Sequence, residues 1–173
     1  MKNFLKKSNA AAFLFLCICG TLLHFTYEWS GENKIVGMFS AVNESTWEHM
    51  KLLFFPSIVY FLPEYAKYRR QSDNLLTART LGLLCGLAFI PVSFYTYSGI
   101  IGKSYIGIDI FIFIVSIMIT LAVSSKKLQD HLRLTALAAL LILLFLLALF
   151  IVFTFFTPHI ALFLDPVRFT YGV

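Results

Sequence analysis

The chain has 173 residues, of which 59% are hydrophobic and only 13% are charged. This composition excludes an ordinary soluble domain and indicates a protein with several membrane-spanning helices. The net charge of +5 does not indicate a nucleic-acid partner, because the basic residues stand in short runs between apolar segments, as in the loops that orient membrane helices. We expect membrane lipids to be the chain's immediate surroundings.

The first predicted span covers residues 8–27, a length of about 30 Å as a helix and enough to cross one hydrocarbon core. Three lysines precede it, as in a signal peptide, but no small-residue cleavage site follows, so we interpret it as an uncleaved helix. His24 and Glu28 are four residues apart and share one face near its far end. They are either candidate metal ligands or side chains that extend to the lipid headgroups.

The most unusual stretch is residues 41–51, Ala-Val-Asn-Glu-Ser-Thr-Trp-Glu-His-Met-Lys, which concentrates charge in an apolar chain. Ser45 and Glu48 fit a capping box at the start of the second span, predicted at 46–67. The apolar run that follows is only about 22 Å long as a helix, so the helix must take its first turns from the polar motif. The motif's side chains should therefore lie at the membrane boundary or slightly below it.

The remaining apolar segments predict three more spans, at 80–98, 104–123 and 134–156. Gly82 and Gly86 have the spacing that lets another helix approach closely. Asp109 lies inside the fourth span, where it either serves a function or simply bonds a neighbouring tyrosine. The tail, residues 157–173, is too apolar to hang free, and we expect it to fold back over the outer end of the bundle.

The distribution of basic residues predicts the orientation. Ten of the fourteen Lys and Arg fall on one side: Lys2, Lys6, Lys7, Lys67, Arg69, Arg70, Arg79, Lys126, Lys127 and Arg133. The positive-inside rule then places the N-terminus in the cytoplasm and the C-terminus outside. The predicted fold is an all-α bundle of five transmembrane helices forming a single domain.

This topology brings polar residues from four segments toward the outer leaflet. The candidate metal ligands, for zinc or a similar divalent ion, are His24, Glu28 and His49. The candidate general bases are Glu48 and Asp109. The candidate pocket residues are Tyr27, Glu44, Trp47, Lys51, His159 and Asp165, with Glu44 and Lys51 at the mouth and Trp47 anchoring the rim.

Three functions remain open at this point. The first is a metal-dependent hydrolase that acts on a lipid-like substrate at the outer leaflet. The second is a binding or transport module for a cation or small molecule, although no internal repeat suggests alternating access. The third is a structural or accessory protein in which the same charges pair with one another and cap helices.

Two resemblances bear on these alternatives. The stretch from His24 to Pro56 resembles a family of small, uncharacterised bacterial membrane proteins that carry a domain of unknown function. The same resemblance includes Phe94-Tyr-Thr-Tyr-Ser-Gly-Ile-Ile-Gly102, Asp109-Ile110 and Asp165-Pro166 with Tyr171-Gly172. It covers nearly the whole chain and implies location in a bacterial cell membrane, but no activity.

The second resemblance is short. Asn43-Glu-Ser-Thr-Trp-Glu-His49 is similar to the Asn-Glu…Trp-Thr-His signature of the progestin and adipoQ receptor proteins. Those proteins belong with alkaline ceramidases to a superfamily of zinc-dependent membrane hydrolases, so the similarity implies a zinc site. This chain departs from that pattern, since it has five predicted spans rather than seven and lacks a late His-x-x-x-His pair.

Overall fold

The computed structural model describes residues 2–70, 72, 74–128 and 134–173, and in these ranges the regular structure is entirely helical. The helices are α1 (Lys2–Trp29), α2 (Lys34–Gly37), α3 (Thr46–Tyr68), α4 (Leu75–Ile101), α5 (Ile106–Lys127) and α6 (Ala136–Phe155), followed by a 3-10 turn at Ala161–Phe163. The all-α prediction is confirmed. Arg133, which was assigned to the inner side, lies outside the described residues.

Within the residues that the structure describes, four helices are long and apolar enough to cross a membrane. They are Ser8–Trp29 within α1, and α4, α5 and α6 over their whole lengths. Each of the five predicted spans overlaps one long helix, but the span in α3 contains more charged residues than any of the other four spans. Its charged residues are Glu48, Lys51, Glu64 and Lys67.

α4 begins earlier than predicted, at Leu75 instead of residue 80. The reason is packing, because its first turn buries Leu75 and Ala78 against Leu128 at the end of α5. The apolar run alone underestimates a helix whose polar ends are held by tertiary contacts.

The close approach predicted from the glycine spacing is confirmed, with α5 as the partner of α4. A Cβ atom on Gly82 would lie 2.1 Å from Ser124 Oγ, and one on Gly86 would lie 2.1 Å from Thr120 Oγ1. The hydroxyls of Thr120 and Ser124 donate to carbonyls four residues earlier in α5. The interface is therefore built from small side chains whose polar atoms are already satisfied, as in many membrane helix pairs.

A buried ion pair joins α3 to α4 at the end of the bundle where α1 begins. Arg79 Nε and Nη2 each donate to one carboxylate oxygen of Glu64 at 2.9 Å, and Arg79 Nη1 donates to Asn9 Oδ1 at 2.9 Å. Ser8 donates to the same carboxylate, and Asn9 donates to Ser125 Oγ on α5. The sequence predicted only that Arg79 lies on the inner side; its side chain is just 2% exposed, because a bidentate partner compensates its burial.

Candidate metal centre

At the opposite end of the bundle, the segment between α2 and α3 is fastened to the last turn of α1. Ser40 is fully buried, and its hydroxyl donates to Leu23 O and accepts from the backbone N–H of Tyr27. This contact holds the segment that carries Glu44 against the helix that carries His24.

The start of α3 forms half of the predicted capping box. Ser45 Oγ accepts from Glu48 N at 3.4 Å, but the Glu48 carboxylate does not return to Ser45. Ser45 N donates instead to Asn43 Oδ1 at 2.9 Å, and Glu48 Oε2 accepts from Val42 N at 3.0 Å. The full capping box is therefore wrong, because the Glu48 carboxylate has a stronger partner on its own helix.

That partner is Lys51, which is fully buried, so the prediction that it lies at the mouth of a pocket is wrong. Its ammonium lies 2.7 Å from Glu48 Oε2, 2.5 Å from Thr154 Oγ1 and 3.0 Å from Gly37 O. A buried charge of this kind persists only when it is paired and hydrogen-bonded. Glu48 is consequently engaged in an ion pair that links α3 to α6, and is not a free carboxylate.

His24, Glu44 and His49 form one group on the same end of the molecule. One ligand atom from each lies within 4.8 Å of the other two. His24 Nε2 is 3.7 Å from Glu44 Oε1, and His49 Nε2 is 3.5 Å from Glu44 Oε2. These separations exceed an ordinary hydrogen bond. They approach the distance of about 3.4 Å that separates two ligands of a tetrahedral zinc ion bonded at about 2.0–2.1 Å.

The hydrogen bonding of His49 fixes which ring nitrogen faces the carboxylate. His49 Nδ1 lies 2.9 Å from Ser45 O, a carbonyl that can only accept, so Nδ1 carries a proton. In the neutral ring, Nε2 then presents a lone pair to Glu44, and two acceptors face each other. A positive species between them, either a proton or a metal ion, removes this conflict, and histidine ligands commonly donate their second nitrogen to a carbonyl in this way.

The group is open to solvent on the side of the carboxylate. The Glu44 side chain is 46% exposed, and those of the two histidines are about 30% exposed. The pKa of Glu44 is lowered, mainly by the polar contact of its carboxylate with His24. The nearby charges of His49 and Arg168 lower it further, whereas partial burial raises it. The carboxylate is therefore ionised at neutral pH, as a metal ligand must be.

The C-terminal tail folds over this end of the bundle, as predicted, and holds the backbone of Glu44 in place. Asp165 is fully buried, and its Oδ2 accepts from Glu44 N at 3.3 Å. Its Oδ1 accepts from Val167 N at 2.7 Å and Arg168 N at 3.1 Å. Asn43 Nδ2 donates to the carbonyl of Gly172, close to the end of the tail.

Other predicted site residues lie apart from the group. Asp109 accepts a hydrogen bond from Tyr97, which pairs the ends of α5 and α4. Glu28 is exposed and does not join the group of three. His159 is exposed, with its ring centroid 4.6 Å from that of Tyr171.

Two aromatic residues expected to line the pocket are buried. Trp47 is only 7% exposed, with its ring centroid 4.6 Å from Phe150 and 4.9 Å from Phe163. It belongs to the core that joins α3, α6 and the tail, so its predicted place at the rim is wrong. Tyr27 is also buried and packs near Gly37.

Sequence reasoning assigned Glu44 to the mouth rather than to the ligand set. If residue 44 were helical, it would share a face with Glu48 and Lys51. α3 starts only at Thr46, so Glu44 lies in non-helical chain and its direction does not follow that spacing. The sequence did contain a signal for this: Ser45 is a typical N-cap residue, so the helix begins after Ser45 and does not include Glu44.

Two imidazoles and one carboxylate are a ligand set that holds zinc in several hydrolytic enzymes, where water takes the fourth position. Here His24 lies on α1, Glu44 on the segment between α2 and α3, and His49 on α3. The solvent-exposed side of Glu44 leaves a fourth coordination position accessible. The arrangement can therefore bind a divalent ion and present it to solvent.

Comparison with known proteins supplies a family and no more. A family model described as "Family of unknown function (DUF6512)" matches residues 2–173. No curated protein and no solved structure matches the chain.

Proposed function

The chain belongs to this family of unknown function, which assigns it no activity. From its own residues, we propose that it is a metal-binding membrane protein. His24, Glu44 and His49 hold one divalent ion of the zinc class at the end of the bundle where α1 ends and α3 begins. The observation that carries the proposal is the pair of imidazole nitrogens set 3.5 and 3.7 Å from the two oxygens of one carboxylate.

The proposed topology has five spans, namely the four long apolar helices and α3. The pairing of its charges supports this placement. Glu48 is paired with Lys51 and Glu64 with Arg79, which lowers the cost of having these side chains within the membrane. The basic residues then put the N-terminus in the cytoplasm and the metal site at the outer face. The membrane is that of a bacterial cell, as the resemblance of the sequence implies.

Metal analysis of the purified protein tests the proposal. After zinc loading in detergent and removal of free metal, we expect about one zinc per chain in the parent. His24→Ala and His49→Ala should each weaken zinc binding by about 100-fold or more, since even residues that only orient a ligand cost 10–100-fold. His159→Ala is the matched control, because it removes an exposed histidine on the same end that lies outside the group.

The alternative is an ion-pair network without metal, in which a proton on His49 Nε2 takes the place of the ion. This alternative predicts background zinc in the parent as well as in both variants. It also predicts that the two substitutions lower thermal stability to the same extent with and without added zinc. Background zinc in the parent would therefore end the metal proposal.

A second candidate function is a metal-dependent hydrolase that acts on a membrane lipid. The observation that favours it is the open fourth position of a two-histidine, one-carboxylate set, which suits a zinc-bound water. The engagement of Glu48 by Lys51 and of Asp109 by Tyr97 opposes both predicted general bases. Lipid hydrolysis that disappears with His49→Ala and persists with both Glu48→Gln and Asp109→Asn would support a hydrolase that uses neither carboxylate as its base.

A further inference from the structure

One buried carboxylate places Arg168 next to the metal group. Asp165 Oδ2 accepts from the backbone N–H of Glu44, and Asp165 Oδ1 accepts from the backbone N–H of Arg168. The two residues thus lie on either side of the same side chain.

The Arg168 side chain is available for a ligand. It is exposed, and in the part of the chain that the structure describes its guanidinium forms no ion pair. The nearest acidic residue along the chain, Asp165, already accepts three backbone N–H groups. An arginine in this situation keeps its planar set of donors free for an oxyanion.

The charge of the loaded site also favours an anion. A divalent ion bound by two neutral imidazoles and the single carboxylate of Glu44 retains a net positive charge. Arg168 adds a second positive charge on the solvent side. An oxyanion is the ligand that can occupy the open coordination position of the ion and accept hydrogen bonds from a guanidinium at the same time.

We propose that the metal ion and Arg168 together bind a phosphate-bearing anion, one oxygen on the ion and the others on the guanidinium. This inference rests on the proposed metal site and assigns the class of its ligand. The tail around Arg168 is apolar and exposed at Val167 and Phe169, which are 70% and 76% exposed. A tail of this kind suits the level of lipid headgroups, where phosphate is the common anion.

Titration calorimetry on the zinc-loaded full chain in detergent, with free zinc removed, tests the inference. The probes are inorganic phosphate and a short-chain phosphatidic acid below its micelle concentration. Arg168→Gln should weaken phosphate binding by about tenfold with zinc content unchanged, because charge-assisted hydrogen bonds to the anion are lost. Arg168→Lys should retain part of the affinity, since lysine keeps the charge without the fork.

Lys34→Gln is the matched control, because it removes an exposed positive charge on the same end of the molecule, in α2. It should leave phosphate affinity unchanged. Tighter binding of phosphatidic acid than of inorganic phosphate would identify the source as a lipid headgroup, and equal binding would identify the free anion; both outcomes support the inference.

Three results would overturn it: phosphate binding that survives Arg168→Gln, an equal loss with Lys34→Gln, or binding that does not depend on zinc. These are distinct from failure of the metal proposal, in which the parent chain retains no zinc. A chain that holds zinc stoichiometrically and ignores phosphate would refute the inference alone.

Discussion

Glu44 is the residue on which the candidate site depends. Its two carboxylate oxygens face two different imidazoles, and its backbone N–H is held by Asp165. The side chain is nevertheless half exposed, so the residue is fixed by its neighbours and still accessible from solvent. A group with these properties is suited to ligand exchange rather than to permanent burial.

The lowered pKa of Glu44 gives a pH-dependent prediction for the metal-free protein. A carboxyl whose folded-state pKa is depressed contributes stability above its unfolded value and loses that contribution as pH falls through the folded value. In the presence of a chelator, the parent should therefore melt at a higher temperature than Glu44→Gln between about pH 4.3 and about pH 6.5, the ordinary glutamate and histidine values. The difference should close at more acidic pH.

The measurement is a series of thermal melts across this pH range, with Glu28→Gln as the control. Glu28 is an exposed carboxylate on the same end that does not join the group. Glu28→Gln therefore shows how far the melting temperature changes when a carboxylate outside the group is lost. A gap between the parent and Glu44→Gln that widens toward low pH would contradict the assignment.

At this scale, the sequence identified the types of residue better than their partners. The sequence named His24, Glu28 and His49 as one ligand set, and the structure brings the two histidines together with Glu44 and without Glu28. The partners of Lys51 and Arg79 were missed, since burial of a charge depends on an acceptor whose position only the packed helices reveal. Thr154, which contacts Lys51, lies 103 positions away in the chain.

At the scale of elements, the tail braces the group formed by His24, Glu44 and His49 and also covers the core. It buries Phe163 against Trp47 and supplies the carboxylate that orients Glu44 and Arg168. Phe169 adopts a positive φ, which lets the chain turn sharply enough to bring Tyr171 back beside Leu164. The tail therefore has a defined conformation rather than a general apolar attachment.

Asp165→Ala should weaken zinc binding by about 10–100-fold, as expected for a residue that orients a ligand without touching the metal. It should also lower the melting temperature, because buried backbone N–H groups lose their acceptor. Zinc titration and thermal melts of the same samples measure the two effects. Pro166→Ala, an exposed neighbour, serves as the control and should leave zinc binding unchanged.

Asp165→Asn separates the two roles. An asparagine keeps one acceptor oxygen and should restore part of the stability, yet it turns an N–H donor toward one of the backbone N–H groups. If Asp165→Ala loses stability while its zinc affinity stays at the parental value, the tail is a structural cover and not a brace for the site.

At the scale of the whole molecule, the two ends of the bundle are held by different polar networks. One contains Glu64 and Arg79; the other contains Glu48, Lys51 and the histidine group. The helices between them are mainly apolar. This separation is what the proposed topology requires, because polar side chains are least costly at the two boundaries of a bilayer.

Reporter fusions check the orientation. Fusions after Asp73 and Lys127 should report the cytoplasm, and fusions after Lys103 and Val173 should report the outside, because ten of the fourteen basic residues fall on the inner side. The four-span reading, with α3 lying outside the membrane, instead puts the N-terminus and Val173 on the same side as each other and the signal after Asp73 on the opposite side. A cytoplasmic signal at Val173 would contradict the five-span proposal.

Apolar length predicted the approximate position of the long helices, and glycine spacing predicted that another helix packs closely against α4, which the structure identifies as α5. Hydropathy was least informative for α3, since its charges are acceptable only in the company of α1, α4 and α6. The same reason explains why the buried ion pairs were not foreseen: a single sequence states which residues are charged and not which of them meet.

The Glu64–Arg79 pair has a consequence for the biosynthesis of the protein. When α3 leaves the ribosome, Glu64 has no basic partner within the bundle, and an isolated charge inside a bilayer costs about 3 kcal/mol or more on insertion scales. Arg79 follows 15 positions later, so the pair can form only when the start of α4 has also been synthesised. In the five-span topology, α3 and α4 would therefore enter the lipid together as a hairpin, and the short connection between them sets the moment of insertion.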